Sequence, residues 1–242
     1  MPRGKSLEGN LGLLPRSLTD LLFPPVCLGC ESEIEHGLVC DRCNAELHAG
    51  RTGVCARCGR PVTRNDVPTC GNCGPFGPER VRALGAYVVP FCSVVQALKY
   101  TGKTDIARLL GEALTRLVES DPILTASDFV CPVPLHPARM RERGYNQASL
   151  LANEVAKGTG IEFCDMLVRV KNTRAQAGIL RSEERRRNLQ GAFKLRPGVQ
   201  LTGVRVMLVD DVLTSGATMD AAGRQLLSAG ASAVVGISVA AA

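Results

Sequence analysis

At 242 residues, 45% of them hydrophobic, the chain is long enough for one domain of moderate size and a smaller one, with apolar residues to fill a core. It has no Trp and 4% aromatics, so an aliphatic interior is expected; the net charge of +6 is compatible with phosphate ligands or nucleic acid and establishes neither. No apolar run reaches the roughly 18 residues that span a bilayer, and Met1 to Asn10 lacks the charged-then-apolar order of a secretory signal, so a cytoplasmic protein with reduced thiols is expected.

In chain order, Leu11, Leu14, Leu18, Leu21 and Leu22 recur at helical spacing and predict a short amphipathic helix before Pro24. Eight cysteines then fall in four Cys-x-x-Cys pairs: Cys27/Cys30, Cys40/Cys43, Cys55/Cys58 and Cys70/Cys73. Each pair can aim two thiolates at one point, and a Zn²⁺ ion wants four. Starts of successive pairs stand 13, 15 and 15 residues apart, a weak repeat. The simplest assignment gives Cys27, Cys30, Cys40 and Cys43 to one structural zinc and Cys55, Cys58, Cys70 and Cys73 to another; interleaved pairing stays open. Four thiolates close the coordination sphere, which argues against catalytic zinc, and a reducing compartment argues against disulfides. Bracing or partner docking is preferred to DNA contact for this module. Cys92, Cys131 and Cys164 have no paired neighbour and read as ordinary buried thiols.

Beyond a linker at 74–78, Val81 to Val89 reads as a strand or hairpin arm, and Thr104 to Glu119 as a strongly amphipathic helix. Gly102-Lys103-Thr104 lacks the first glycine of a nucleotide-binding P-loop, and Gly158-Thr159-Gly160 reads as a helix C-cap rather than a dinucleotide fingerprint. Phe129 to Val133 is a strand leading into a proline-punctuated loop that carries Arg139, Arg141 and Arg143. Arginines leaving the carboxyl end of a strand suit anion binding. A helix to about Lys157, a strand at Met166 to Val170, a long basic loop at Lys171 to Gln190 and a β element at Gly191 to Leu195 follow. Arg181, Arg185, Arg186 and Arg187 lie in that long loop and could fold over an anionic ligand.

The most informative stretch is Val206 to Thr218. A strand at Val204 to Val209 runs into Asp210 and Asp211, and a small hydroxyl-rich turn then opens a helix at Met219 to Ala229; Ala233 to Val239 is the last strand. A helix N-terminus offers unpaired N–H groups, so Thr214, Ser215, Gly216, Ala217 and Thr218 can surround a phosphate. Two carboxylates beside an anion site make sense if they grip sugar hydroxyls or a divalent cation. A sugar phosphate satisfies both halves. Alternating strands and helices imply an α/β fold with a mostly parallel sheet covered on both faces.

Val206 to Thr218 closely resembles the PRPP-binding signature of type I phosphoribosyltransferases. Together with the four Cys-x-x-Cys pairs, Leu98-Lys99-Tyr100, Pro132 to His136, Arg143-Gly144-Tyr145-Asn146-Gln147 and the Gln176, Arg187, Asn188, Phe193 stretch, the chain resembles the ComF family. The resemblance implies an N-terminal extension at 1–26, a double zinc ribbon at 27–78 and a phosphoribosyltransferase-like domain at 79–242. It implies that Thr214 to Thr218 hold the 5-phosphate and that Asp210 and Asp211 are the catalytic pair facing the ribose. Leu135, His136 and Arg139 would meet the pyrophosphate with Mg²⁺, and Arg187 would close over the ligand from the flexible loop. Phosphoribosyl transfer to an acceptor that the chain does not name, and a link to natural competence with single-stranded DNA and competence-machinery proteins as partners, follow from the same resemblance. A non-catalytic, zinc-containing accessory protein that retains the fold and handles single-stranded DNA or binds a partner is the alternative.

Overall fold

The computed structural model describes residues 24–50, 53–59, 62, 77–100, 104–171 and 188–242. The expected N-terminal helix, Cys70, Cys73, Gly102-Lys103, and the loop arginines Arg181, Arg185, Arg186 and Arg187 lie outside the described residues.

The centre of the molecule is a five-stranded parallel sheet in the order β1-β7-β6-β2-β3. Its strands are β1 (Arg80–Ala86), β2 (Phe129–Pro132), β3 (Glu162–Phe163), β6 (Arg205–Leu213) and β7 (Ala233–Ala241). All nine residues of β7 are buried, as a central strand with both faces covered requires. Alternation along β6 divides the core. Met207 and Val209 face α2 (Phe91–Tyr100), α3 (Ile106–Glu119) and α6 (Gln147–Thr159). Val206 and Leu208 face α7 (Ala217–Ser228) and a small antiparallel pair, β4 (Leu167–Arg169) with β5 (Phe193–Leu195).

Four expectations need correction. Asp210 and Asp211 belong to β6, which runs four residues past its expected end because the ladder to β7 continues through Asp210 opposite Ser238, Val212 opposite Ala240 and Leu213 opposite Ala241. Residues 91–100, not anticipated as helical, form α2 with Phe91, Val94, Val95 and Leu98 buried. The expected proline-rich loop contains α5 (Pro137–Arg143). His136 is its N-cap, Pro137 occupies the first turn, where a missing N–H costs nothing, and Gly144 closes it with φ 81°. The expected strand at Met166 to Val170 leaves the main sheet and pairs with β5 instead. Gly160, with φ 75°, caps α6 as read from the sequence.

The cysteine-bearing segment packs on this domain. Its helix α1 (Asp41–His48) buries Leu47 in the core shared by α2, α3 and α6, and Leu28, Leu38 and Val39 pack beside it. Further on, Val81 N–H donates to Arg57 O at 2.6 Å along the open edge of β1. Gly59 (φ 68°) makes this approach feasible, since a Cβ there would lie 2.6 Å from Val81 O. Covering an edge strand in this way removes a template for unwanted pairing. α4 (Pro122–Thr125) is a single turn, started by the Asp121 side chain accepting from Ile123 N. Among the described residues no helix is long and apolar enough to cross a membrane.

Candidate phosphate and metal sites

A cavity of about 190 Å³ opens at the carboxyl ends of β2 and β6, where open α/β sheets place their ligands. Asp210, Asp211, Thr214 and Thr218 line one side, Leu135 and Arg139 another, and Lys99, Tyr100, Arg143, Asn146, Gln147 and Arg169 complete it. Three loop residues named from the sequence stand back from it. Ser215 Oγ accepts from Ala217 N at 3.4 Å, Gly216 is the N-cap of α7 with φ 74°, and Ala217 is buried as the first helical residue. Their backbone supplies the turn that points the N-terminus of α7 toward the strand ends. His136 is not among the lining residues; its Nδ1 accepts from Ala138 N at 3.2 Å and caps α5.

The acidic pair divides its work between the two faces of the sheet, because consecutive strand residues point oppositely. Asp211 turns to the side of α2 and α6 and is 5% exposed. There Lys99 Nζ lies 3.0 Å from Oδ1, and Gln147 Nε2 donates to Oδ2 at 2.5 Å. Gln147 is held in turn by Arg143, whose Nη1 donates to Oε1 at 2.5 Å. Asp210 belongs to the other face, and its Oδ1 accepts from Asp211 N at 2.8 Å. Burial and then the charge of Asp211 push the Asp210 carboxyl up to about 7, against the pull of Asp211 N–H, Lys99 and Arg169. Arg169 has its own pKa lowered, first by burial and then by Arg139, while Asp210 opposes the shift. Its guanidinium lies 5.6 Å from the centre of the Phe193 ring.

Two further residues hold the rim. Asn146 caps α6 by accepting from Ala148 N at 3.1 Å and donates to Val133 O at 3.1 Å, which ties the end of β2 to that helix. The Tyr145 hydroxyl donates to Leu98 O, so the corner between α5 and α6 is fastened to the last turn of α2. The result is a small polar cavity with four cationic side chains, two carboxylates and a helix N-terminus around it. Such a site suits a ligand that is polyanionic at two positions and hydroxylated between them.

Of the residues expected at this site, the structure brings together Asp210, Asp211, Thr214, Thr218, Leu135 and Arg139; Arg187 lies outside the described residues. Sequence reasoning placed Arg143 in an anion-binding loop and assigned no role to Lys99, Gln147 and Arg169. The Leu98-Lys99-Tyr100 and Arg143 to Gln147 runs were the available signal for Lys99 and Gln147. Arg169 sits on a strand and carried none. Arg141, expected beside Arg139 and Arg143, is exposed, because on a helix the i and i+4 positions share a face and i+2 does not.

At the other site, the Sγ atoms of Cys27, Cys30, Cys40 and Cys43 all lie within 4.8 Å of one another. The Cys30 to Cys40 separation of 3.7 Å matches the roughly 3.8 Å between thiolates on a tetrahedral zinc with Zn–S bonds of about 2.3 Å. Gly29 N and Cys40 N donate to Cys27 Sγ at 3.3 and 3.2 Å, the backbone support expected of a bound thiolate. The hydrogen bond from Ser32 is the main cause lowering the Cys30 thiol to about 6, whereas burial raises Cys43. The donor set fits zinc and leaves no position open for a substrate. Cys55 and Cys58 are buried. Cys131 is fully buried, which pushes its thiol up to about 12, and Cys92 and Cys164 are half-buried.

The parallel sheet, the strand-end cavity and the cysteine cluster define a phosphoribosyltransferase-type domain carrying a zinc ribbon. Residues 144–242 match the phosphoribosyl transferase domain and residues 18–74 the double zinc ribbon domain. Over 222 residues the chain is 32% identical to "DNA utilization protein YhgH" of Salmonella typhimurium, covering 88% of this chain and 96% of that one. It is 31% identical to "Competence protein F" of Haemophilus influenzae over 75% of this chain and 87% of that one. With "Competence protein ComFC" of Bacillus subtilis the identity is 24%, over 87% of this chain and 92% of the relative. The chain belongs to the ComF family.

Proposed function

We propose that the chain binds PRPP with Mg²⁺ in the strand-end cavity and catalyses phosphoribosyl transfer to an acceptor, in the cytoplasm and in the service of DNA uptake. The observation that carries the reading is the convergence of Thr214 and Thr218, Asp210 and Asp211, and the cations Lys99, Arg139, Arg143 and Arg169 on one small cavity. In this reading, amides at the start of α7 hold the 5-phosphate and Asp210 faces the ribose hydroxyls. Asp210 and Asp211 are the side chains that would hold Mg²⁺, and that ion would offset negative charge on the pyrophosphate. Arg139 and Arg169 stabilise the charge that builds on the leaving group. Asp211 anchors Lys99 and Gln147 and so sets the shape of the cavity. The zinc ribbon, assigned to 27–78 with the transferase domain at 79–242, braces the β1 edge and carries two structural zinc ions. The relatives' names, which speak of competence and DNA utilization, support the biological setting.

One observation favours a second reading, an accessory protein that retains the fold, binds PRPP without turnover and handles single-stranded DNA: both Asp211 oxygens are already engaged within the protein. Titration calorimetry with PRPP and Mg²⁺ tests the feature common to both. Heat is expected for the wild type and none for Asp210→Ala with Asp211→Ala; no heat for the wild type, or unchanged heat for the double variant, would overturn the assignment. Release of pyrophosphate on addition of an acceptor then separates transferase from accessory protein.

A further inference from the structure

We propose that Arg82 is a positioning residue of the second zinc site: from β1 it fixes the turn that carries Cys55 and Cys58, and it offsets the negative charge of their thiolates when zinc is bound. This rests on the reading of the ribbon as a holder of two structural zinc ions, and it puts part of the second ion's support on the sheet.

The turns at 27–30 and 55–58 are copies of one another. Glu31 N donates to Cys27 O at 2.9 Å and Gly59 N to Cys55 O at 3.0 Å, and both donors have left-handed backbone, with φ 63° and 68°. Around them Ile34 N donates to Pro25 O, and Val62 N to Gly53 O at the matching place, each at 2.9 Å. The first turn supplies half of the four-thiol cluster. The second therefore has the shape of a zinc half-site, and Cys55 and Cys58 are both buried.

What lies against the second turn is β1. Val81 N reaches Arg57 O between the two cysteines. Arg82, next along the strand, donates from Nη1 to Val81 O at 2.8 Å and brings the same atom to 3.5 Å from Cys55 O. Its charge is only partly met on the other side. Arg80 donates to both oxygens of Asp121, at 2.9 and 2.8 Å, and Arg82 Nε lies 3.5 Å from Oδ2 of the same carboxylate. Two guanidiniums thus share one negative charge. The side chains of Arg82 and Asp121 are 15% and 11% exposed, so water screens the surplus poorly. Cys55 and Cys58, as thiolates, attract the Arg82 guanidinium. Four thiolates outweigh the charge of one Zn²⁺ ion, so a loaded site is anionic and complements this surplus. Charges and hydrogen bonds placed just behind metal ligands set affinity by roughly 10- to 100-fold.

The test uses the intact, zinc-loaded chain as wild type, Arg82→Gln, Arg82→Met and Arg82→Lys, with circular dichroism to establish that each is folded. Arg82→Met keeps most of the apolar stem and guards against loss of the fold through packing alone. Zinc per chain is measured by elemental analysis, and the affinity of each ion by competition with a chromogenic chelator. Two ions are expected in the wild type. Arg82→Gln and Arg82→Met should hold one of them roughly tenfold or more weakly and the other unchanged, whereas Arg82→Lys, which keeps the charge, should stay within about threefold of the wild type. In a Cys43→Ser background the ion that remains should be the one weakened by Arg82→Gln. Unchanged affinity in Arg82→Gln and Arg82→Met, equal weakening of both ions, Arg82→Lys as weak as Arg82→Gln, or an insensitive ion in the Cys43→Ser background would each overturn the proposal. One zinc ion or none in the wild type would instead remove the second site, and the role of Arg82 with it.

Discussion

Asp210→Asn is expected to stabilise the unliganded protein above neutral pH while removing its ability to hold the ligand. Burial and the neighbouring Asp211 charge raise the Asp210 carboxyl from 3.8 to about 7. A folded-state pKa above the unfolded one means that the folded chain holds this proton more tightly. The associated stability is fully present below pH 3.8 and is lost as the pH rises through about 7. At roughly 1.4 kcal/mol per unit, the full gap corresponds to about 4 kcal/mol, and relaxation around the pair brings the expected penalty to about 2 to 4 kcal/mol. Asparagine has the same shape, carries no charge, and its Oδ1 can still accept from Asp211 N. Urea unfolding of both proteins from about pH 4 to pH 8 is the assay. The variant should be more stable by about 2 to 4 kcal/mol at the upper end, and the difference should close toward the lower end. A variant no more stable than the wild type at about pH 8, or a difference that ignores pH, would refute the reasoning. A gain in stability with loss of PRPP binding is the usual mark of a residue kept for function.

Three other outcomes are expected. Lys99→Met leaves the buried Asp211 carboxylate with Gln147 as its remaining side-chain partner among those described here, and should cost about 3 kcal/mol by denaturant unfolding; it should also raise the Asp210 pKa further, because Lys99 lowers it, which a carbon-detected NMR titration would read. Leu47→Ala, in a fully buried position of α1, should cost about 2 to 5 kcal/mol in the intact chain, and a negligible cost would mean that the ribbon does not share the domain core. Metal analysis of the intact protein should find two zinc ions per chain, with Cys43→Ser losing one; a content near zero after gentle purification would reject the ligand assignment.

The Val206 to Thr218 stretch was legible because every local feature agrees: an apolar run of strand formers, acids, then small hydroxyl residues opening a helix. Its strand end was misplaced because aspartates are poor strand formers, whereas the pairing of Asp210 with Ser238 is decided by β7. α5 was misread for a different reason. Prolines look like punctuation, yet His136, Pro137 and Gly144 are a cap, a first-turn residue and a C-terminal glycine in the order that a short helix requires. The least legible part was the grip on Asp211. Gln147 is 64 residues away in the chain and Lys99 lies further still, so only the fold, which brings the end of α2 and the start of α6 to the same strand end, lets both reach Asp211. Local propensity carries no record of such a meeting, and that is why Lys99 and Gln147 were found in the fold, whereas Arg139 and Arg143 were already legible in their loop.

The most direct measurement is a crystal structure of the protein with PRPP and Mg²⁺. The 5-phosphate should lie on the amides between Thr214 and Thr218, the ribose hydroxyls should face Asp210, and the pyrophosphate should meet Arg139. PRPP bound elsewhere, or bound with its pyrophosphate on the Thr214 to Thr218 turn, would contradict the assignment of the cavity.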